Sequence, residues 1–187
     1  MEAAQDAAVA LLDELDSFQI YGDRVGMVTF VAGAEEWSPL TDMNDEGEFN
    51  TLRSQWDNEL DWCNRDYLSS GSRWYHSAPQ MLNCSTVDVG ESATHPSDAG
   101  TKQASGIELA LDLLAENYRE VAMPTIILVS DGLPQCVPRS SSCDEGRAEA
   151  GRDARQRAED EEVFLFSVNI NNASPVQEQI DYMCELT

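Results

Sequence analysis

Lysine is almost absent from this chain. Lys102 is the only one in 187 residues, and Lys plus Arg number 11 against 35 Asp plus Glu. At a formal net charge of −24, nucleic acid and anionic membrane surfaces are disfavoured partners, because phosphate binding needs a basic footprint. Long hydrophobic runs are missing too. The longest apolar stretch lies around Val121–Val129, far short of the ~20 residues a membrane helix needs, so no membrane insertion is expected of this segment. No basic region precedes a hydrophobic run, and no secretory leader is visible. Histidine occurs only as His76 and His95, and the five cysteines form no Cys-x-x-Cys pair, which argues against a structural zinc site. No internal repeat is present.

What is there reads as a globular domain. With 42% hydrophobic and 25% charged residues, the chain can bury a sizeable core as one unit. Self-repulsion at this charge destabilises a compact state unless salt or divalent cations screen it. A saline or calcium-containing setting fits that balance, as does a generally acidic secreted protein. Cys136 and Cys143 bracket a short loop, Cys63 and Cys84 bracket another, and Cys184 is left over. Two local pairs predict disulfides and an extracytoplasmic location, whether secreted, periplasmic or at the cell surface. Free thiols in a cytosolic protein are the alternative.

Periodicity divides the chain into alternating helices and strands. Residues 2–18 carry Ala4, Ala8, Leu11, Leu12, Leu15 and Phe18 at helical spacing, with acids off that stripe. A buried strand is expected at 24–30. A short partner follows at 34–40, with Pro39 marking an edge because proline cannot donate to a ladder. Residues 42–98 read as an irregular insertion, with a helix near 48–62 built on Phe49, Leu52, Trp56 and Leu60. Trp62, Trp74, Tyr75 and His76 form either this insertion's small core or a recognition surface. A helix at about 102–119 turns Ile107, Ala110, Leu111, Leu114 and Tyr118 inward. Another at 144–160, capped by Asp144, offers the small line Ala150, Gly151, Ala154 and Ala158, which lets it lie close to the sheet. A buried strand at 163–169 and a helix at 174–186 complete an α/β layered pattern.

The most telling segment is Thr125-Ile-Ile-Leu-Val-Ser-Asp-Gly132. Its apolar run reads as a strand buried on both faces, and it stops at a carboxylate. Open α/β sheets place ligand sites at such carboxyl ends. Upstream, residues 100–107 read Gly-Thr-Lys-Gln-Ala-Ser-Gly-Ile, directly before the helix that leads back into this strand. This combination resembles the von Willebrand factor type A (vWA) domain. The resemblance also takes in residues 3–30 and leaves out roughly 42–98. It implies a Rossmann-like three-layer sandwich, with a mostly parallel central sheet and helices on both faces.

The resemblance further implies a metal-ion-dependent adhesion site. Thr101 and Asp131 match the family's metal-holding positions. A divalent cation such as Mg²⁺, Ca²⁺ or Mn²⁺ wants hard oxygen ligands, and one open coordination position can take an acidic side chain from a protein partner. The family's first metal loop, Asp-x-Ser-x-Ser on a central strand, does not precede the first helix here. We therefore expect the sequence to be a partial vWA domain that binds metal weakly or not at all by itself. The function implied is a non-enzymatic protein-binding module for adhesion or assembly, metal-dependent in the intact parent. Two alternatives stand beside it. One is a structural module of a bacterial surface or pilus assembly, of the TadG-like kind. The other is a metal-assisted hydrolase using Asp131 with His76 or His95 as base.

Overall fold

The computed structural model describes residues 2–18, 22–30, 33–58, 99–130, 133–137, 141–169 and 177–187. Of these, the side chains of 2–6, 18, 55–58, 99–101 and 135–137 are not described. The elements are α1 (Glu2–Phe18), β1 (Arg24–Phe30), β2 (Ala34–Asp42), α2 (Glu46–Asn58), β3 (Ala99–Thr101), α3 (Gln103–Glu116), β4 (Thr125–Ser130), β5 (Gln135–Val137), α4 (Ser141–Asp160), β6 (Phe164–Asn169) and α5 (Gln177–Glu185). The class is mixed α/β. Among the described residues the strands form three two-stranded sheets: β1 with β2 and β3 with β5, both antiparallel, and β4 with β6, parallel.

The larger core lies under β4 and β6. Alternation along β4 turns Ile126, Leu128 and Ser130 inward, and β6 adds Leu165. Against them pack Ile107 and Leu111 of α3, Ala154 and Ala158 of α4, and Tyr182 and Met183 of α5, with Leu186 just beyond. On the small line of α4, Ala154 and Ala158 reach the core beneath the sheet as expected, and Gly151 meets α5. At Gly151 a Cβ would come within 2.3 Å of the Tyr182 hydroxyl, so the glycine admits a side chain of α5. Tyr182 is 4% exposed, and its hydroxyl has no hydrogen-bond partner. Burial pushes that phenol up to about 12. The helix itself begins earlier than expected, at Ser141, so Asp144 sits in its first turn, where a negative charge favours the helix dipole.

The smaller core belongs to the hairpin. Leu12 of α1 meets Phe49 and Leu52 of α2, over Val25 and Met27 of β1 and Trp37 of β2. Asp45 starts α2 by accepting from the backbone N–H groups of Gly47 and Glu48, each at 3.0 Å, a capping role suited to a short carboxylate. The Arg53 guanidinium grips both carboxylate oxygens of Asp13, at 2.6 and 2.9 Å, joining α2 to α1. That contact holds Asp13 below the usual carboxylate range. Near Gly26 the ladder is irregular, and a Cβ there would meet the Ser38 carbonyl at 3.0 Å. Helix α3 packs on β1 and β2 as well as on β4. Gly106 lets it approach, since a Cβ at that position would lie 2.7 Å from the Phe30 ring.

Several expectations are corrected here. The strand at 24–30 was expected to run parallel with 125–130 and 163–169 in one sheet. The pairing of β1 with β2 and the parallel pairing of β4 with β6 are as expected, but among the described residues β1 shares no sheet with β4 and β6. Burial of β4 and β6 on both faces is likewise not observed. Both strands alternate, leaving Ile127, Phe164, Phe166 and Val168 exposed at 36%, 50%, 55% and 42%. Tyr118 is exposed rather than inward, because α3 ends at Glu116. The edge role of β2 holds, with Pro39 exposed and β1 as its one strand partner among the described residues.

Candidate functional site

The site begins with a polar residue at an inward position. Ile126 and Leu128 fill the first two inward places of β4, while the third is Ser130, only 7% exposed. A hydroxyl buried there needs a partner. Gln103, at 1% exposure, supplies one, and its Nε2 donates to Ser130 Oγ at 3.2 Å. Gln103 is the first residue of α3, so this bond ties the start of that helix to the end of β4. Asn169, in register with Ser130 across the parallel ladder, places a buried Oδ1 with no hydrogen-bond partner at the same end.

A second link holds the neighbouring segment. Thr101 pairs with Gln135, Gly100 with Cys136 and Ala99 with Val137 in the antiparallel β3–β5 ribbon. Residues 101–103 are therefore attached to Ser130 on one side and to Gln135 on the other. Those two positions bracket Asp131 in sequence. The backbone of Thr101 is placed by β3, while its side chain and Asp131 lie outside the described residues. Lys102, the residue capping the start of α3, makes no side-chain cap hydrogen bond, and the first turn carries no acid. The positive end of α3 is thus left uncompensated by the helix's own residues.

Among the described residues no group of three or more His, Cys, Asp and Glu side chains gathers as a metal site would require. His76 and His95 lie outside the described residues, as do Cys63 and Cys84, and so do Trp62, Trp74 and Tyr75. Cys143 is disulfide-bonded and Cys184 is a free, exposed thiol. The partner expected for Cys143 is Cys136, whose side chain lies outside the described residues. No helix among the described residues is long and apolar enough to cross a membrane. A groove of about 490 Å³ runs between α4 and the end of α5, lined by Arg152, Arg155, Gln156, Cys184 and Glu185 among others. It shares no residue with the Gln103–Ser130 cluster, and its walls are charged surface side chains, so the chemistry centres on the cluster.

Sequence reasoning missed Gln103, Ser130 and Asn169. The signal for Ser130 was present as a hydroxyl ending an otherwise apolar alternation. Gln103 carried no comparable mark, because a glutamine at a helix start is ordinarily solvated. Comparison with protein-family models, curated proteins and solved structures finds no match for this chain. The functional reading rests on the residues themselves.

Proposed function

We propose that this chain is part of a vWA-like domain that binds a protein partner, extracytoplasmically, through a divalent cation at the carboxyl end of β4. The supporting observation is the buried Gln103–Ser130 hydrogen bond. It joins the residue two after Thr101 to the residue one before Asp131. The Thr101 hydroxyl and the Asp131 carboxylate are hard donors suited to Mg²⁺, Mn²⁺ or Ca²⁺. The unpartnered Oδ1 of Asn169 adds an oxygen of the same character at that end. A single carboxylate is too little charge to hold such a cation tightly, so the rest of the ligand set comes from a loop outside these residues. The partner supplies an acidic side chain to the open position, and the module performs no bond-making chemistry of its own.

The test is thermal unfolding with and without millimolar Mg²⁺. The chain as it stands should shift little. Extending it upstream by a strand that ends in Asp-x-Ser-x-Ser should create Mg²⁺-dependent stabilisation through preferential binding to the folded state, about 2.7 kcal/mol at a hundredfold excess over Kd. Asp131→Ala in that extended chain should abolish the shift. Full stabilisation in the mutant would remove the chemical basis of the proposal.

A further inference from the structure

Glutamine is seldom fully buried, yet Gln103 is 1% exposed at the start of α3. Burying a carboxamide costs free energy unless it is hydrogen-bonded. Its Nε2 donates to Ser130 Oγ at 3.2 Å, and Ser130 is buried as well. A hydrogen bond this deep is strengthened by the low dielectric and faces little competition from water. Both residues also sit on held backbone. Ile107 and Leu111 fix α3 in the core, and Ser130 lies in the parallel ladder in register with Asn169.

Chain connectivity carries that constraint to the candidate ligands. Asp131 follows Ser130 directly, about 3.8 Å away between Cα atoms, and Thr101 lies two residues before Gln103, at most about 7 Å away. The backbone of Thr101 is held a second time by its pairing with Gln135 in the β3–β5 ribbon. The spacing of the two ligand-bearing positions therefore has little slack. Cations differ in the slack they tolerate. Ca²⁺ takes roughly six to eight oxygens in flexible geometry at about 2.3–2.6 Å, whereas Mg²⁺ needs near-octahedral ligands at about 2.0–2.1 Å and makes do with one or two carboxylates. We propose that Gln103 is a positioning residue: its bond to Ser130 fixes the spacing of Thr101 and Asp131 and so favours Mg²⁺ over Ca²⁺ at the end of β4. This rests on the metal reading above and narrows it from hard divalent cations to the smaller ion.

Removing both members of the pair separates positioning from stability. Ser130→Ala alone takes a partner from a buried amide and should destabilise the chain, whereas Gln103→Met with Ser130→Ala replaces both groups by apolar ones of like shape and should be nearly neutral. In the full chain, this double variant should keep the parent's denaturation midpoint. Its amide hydrogen exchange should speed up about tenfold across residues 101–103 and 135–137, as the local structure opens more readily. In the chain extended upstream by the Asp-x-Ser-x-Ser strand, titration calorimetry should show Mg²⁺ binding weakened about tenfold by the double change. Ca²⁺ binding should change by no more than about twofold. Ser130→Thr, which retains the hydroxyl, should keep the parent's ratio of the two affinities. An extended double variant with the parent's ratio overturns this inference and leaves the metal reading standing, as does unchanged hydrogen exchange in the full chain. An extended parent that binds neither cation removes the metal reading itself, and this inference with it.

Discussion

The β1–β2 hairpin packs against α1, α2 and α3, yet most of its residues are only half buried. The β4–β6 pair has one bare face, yet its inward leucine and isoleucine are almost fully enclosed. The difference lies in what meets beneath each sheet. Three helices bring Ile107, Leu111, Ala154, Ala158, Tyr182 and Met183 to the underside of β4 and β6, with Leu186 closing the end. The hairpin is served by a three-residue cluster of Leu12, Phe49 and Leu52. The number of helices that touch a sheet is therefore a poor guide to where the stabilisation resides. The convergence of small helix faces with long aliphatic side chains is a better one, since burial stabilises by about 25 cal/mol per Å² of apolar surface removed from water.

Leucine truncation gives the largest test of that contrast. Both Leu111 and Leu12 are 0% exposed. Leu111→Ala should cost about 3–4 kcal/mol, because the packed surroundings cannot collapse into the cavity, and Leu12→Ala about 2–3 kcal/mol. Chemical denaturation of the two mutants decides it, and equal losses would break the comparison.

The next effect probes the closeness of α4 and α5. Gly151→Ala drives a methyl toward the Tyr182 hydroxyl and should destabilise by about 1–2 kcal/mol, despite alanine's better helix propensity. In a Tyr182→Phe background the nearest ring carbon, at 3.4 Å, leaves room, so the same change should be neutral or stabilising. A double-mutant cycle without coupling between these positions would show that the helices can slide apart.

Tyr182→Phe alone should raise stability by about 0.5–1 kcal/mol at neutral pH, by removing a buried hydroxyl that has no partner. It should also change the alkaline limb of the stability profile. The folded phenol holds its proton up to about 12 against an ordinary 10.0. Stability is therefore intact below pH 10 and falls as pH rises from there toward 12. Subtracting the Phe mutant's pH profile from the parent's should isolate that fall, and a flat difference would contradict the burial.

The smallest effect is at the hairpin's surface. Asp13 titrates below its ordinary value because Arg53 hydrogen-bonds to it. Its contribution is present at neutral pH and lost as pH falls through that lowered value. Asp13→Asn should leave neutral-pH stability nearly unchanged, as expected of an exposed pair, and should flatten a shallow slope in the acid limb.

Much of this arrangement was legible in the sequence. The limits of α1 and β4 and the inward side of α3 up to Leu114 followed from periodicity, and the edge role of β2 followed from Pro39. Periodicity reports which face of an element is apolar, however, and not which strand lies beside it. That is why β1 was expected to share a sheet with β4 and β6, and is found joined only to its hairpin partner β2 among the described strands. The continuous apolar run of β4 and β6 predicted two covered faces, but a run of that kind records only suitability for burial. The three-residue strands β3 and β5 are too short to leave a pattern. Of the candidate site, Thr101 was named and its strand is placed, and Asp131 is bracketed by residues tied to that strand. Gln103 and Ser130 emerged only once α3 and β4 were seen to meet.

Lys102 stands at the start of α3, between Thr101 and the buried Gln103, and it is the one lysine in the chain. Apart from a free amino terminus, an acylating reagent therefore finds a single ε-amine, and finds it beside the candidate site. A fluorophore attached there needs no engineered cysteine and no substitution. Metal or partner arriving at the end of β4 would alter the dye's surroundings directly. The scarcity of bases that disfavours nucleic acid as a partner also turns this protein into its own site-selective reporter.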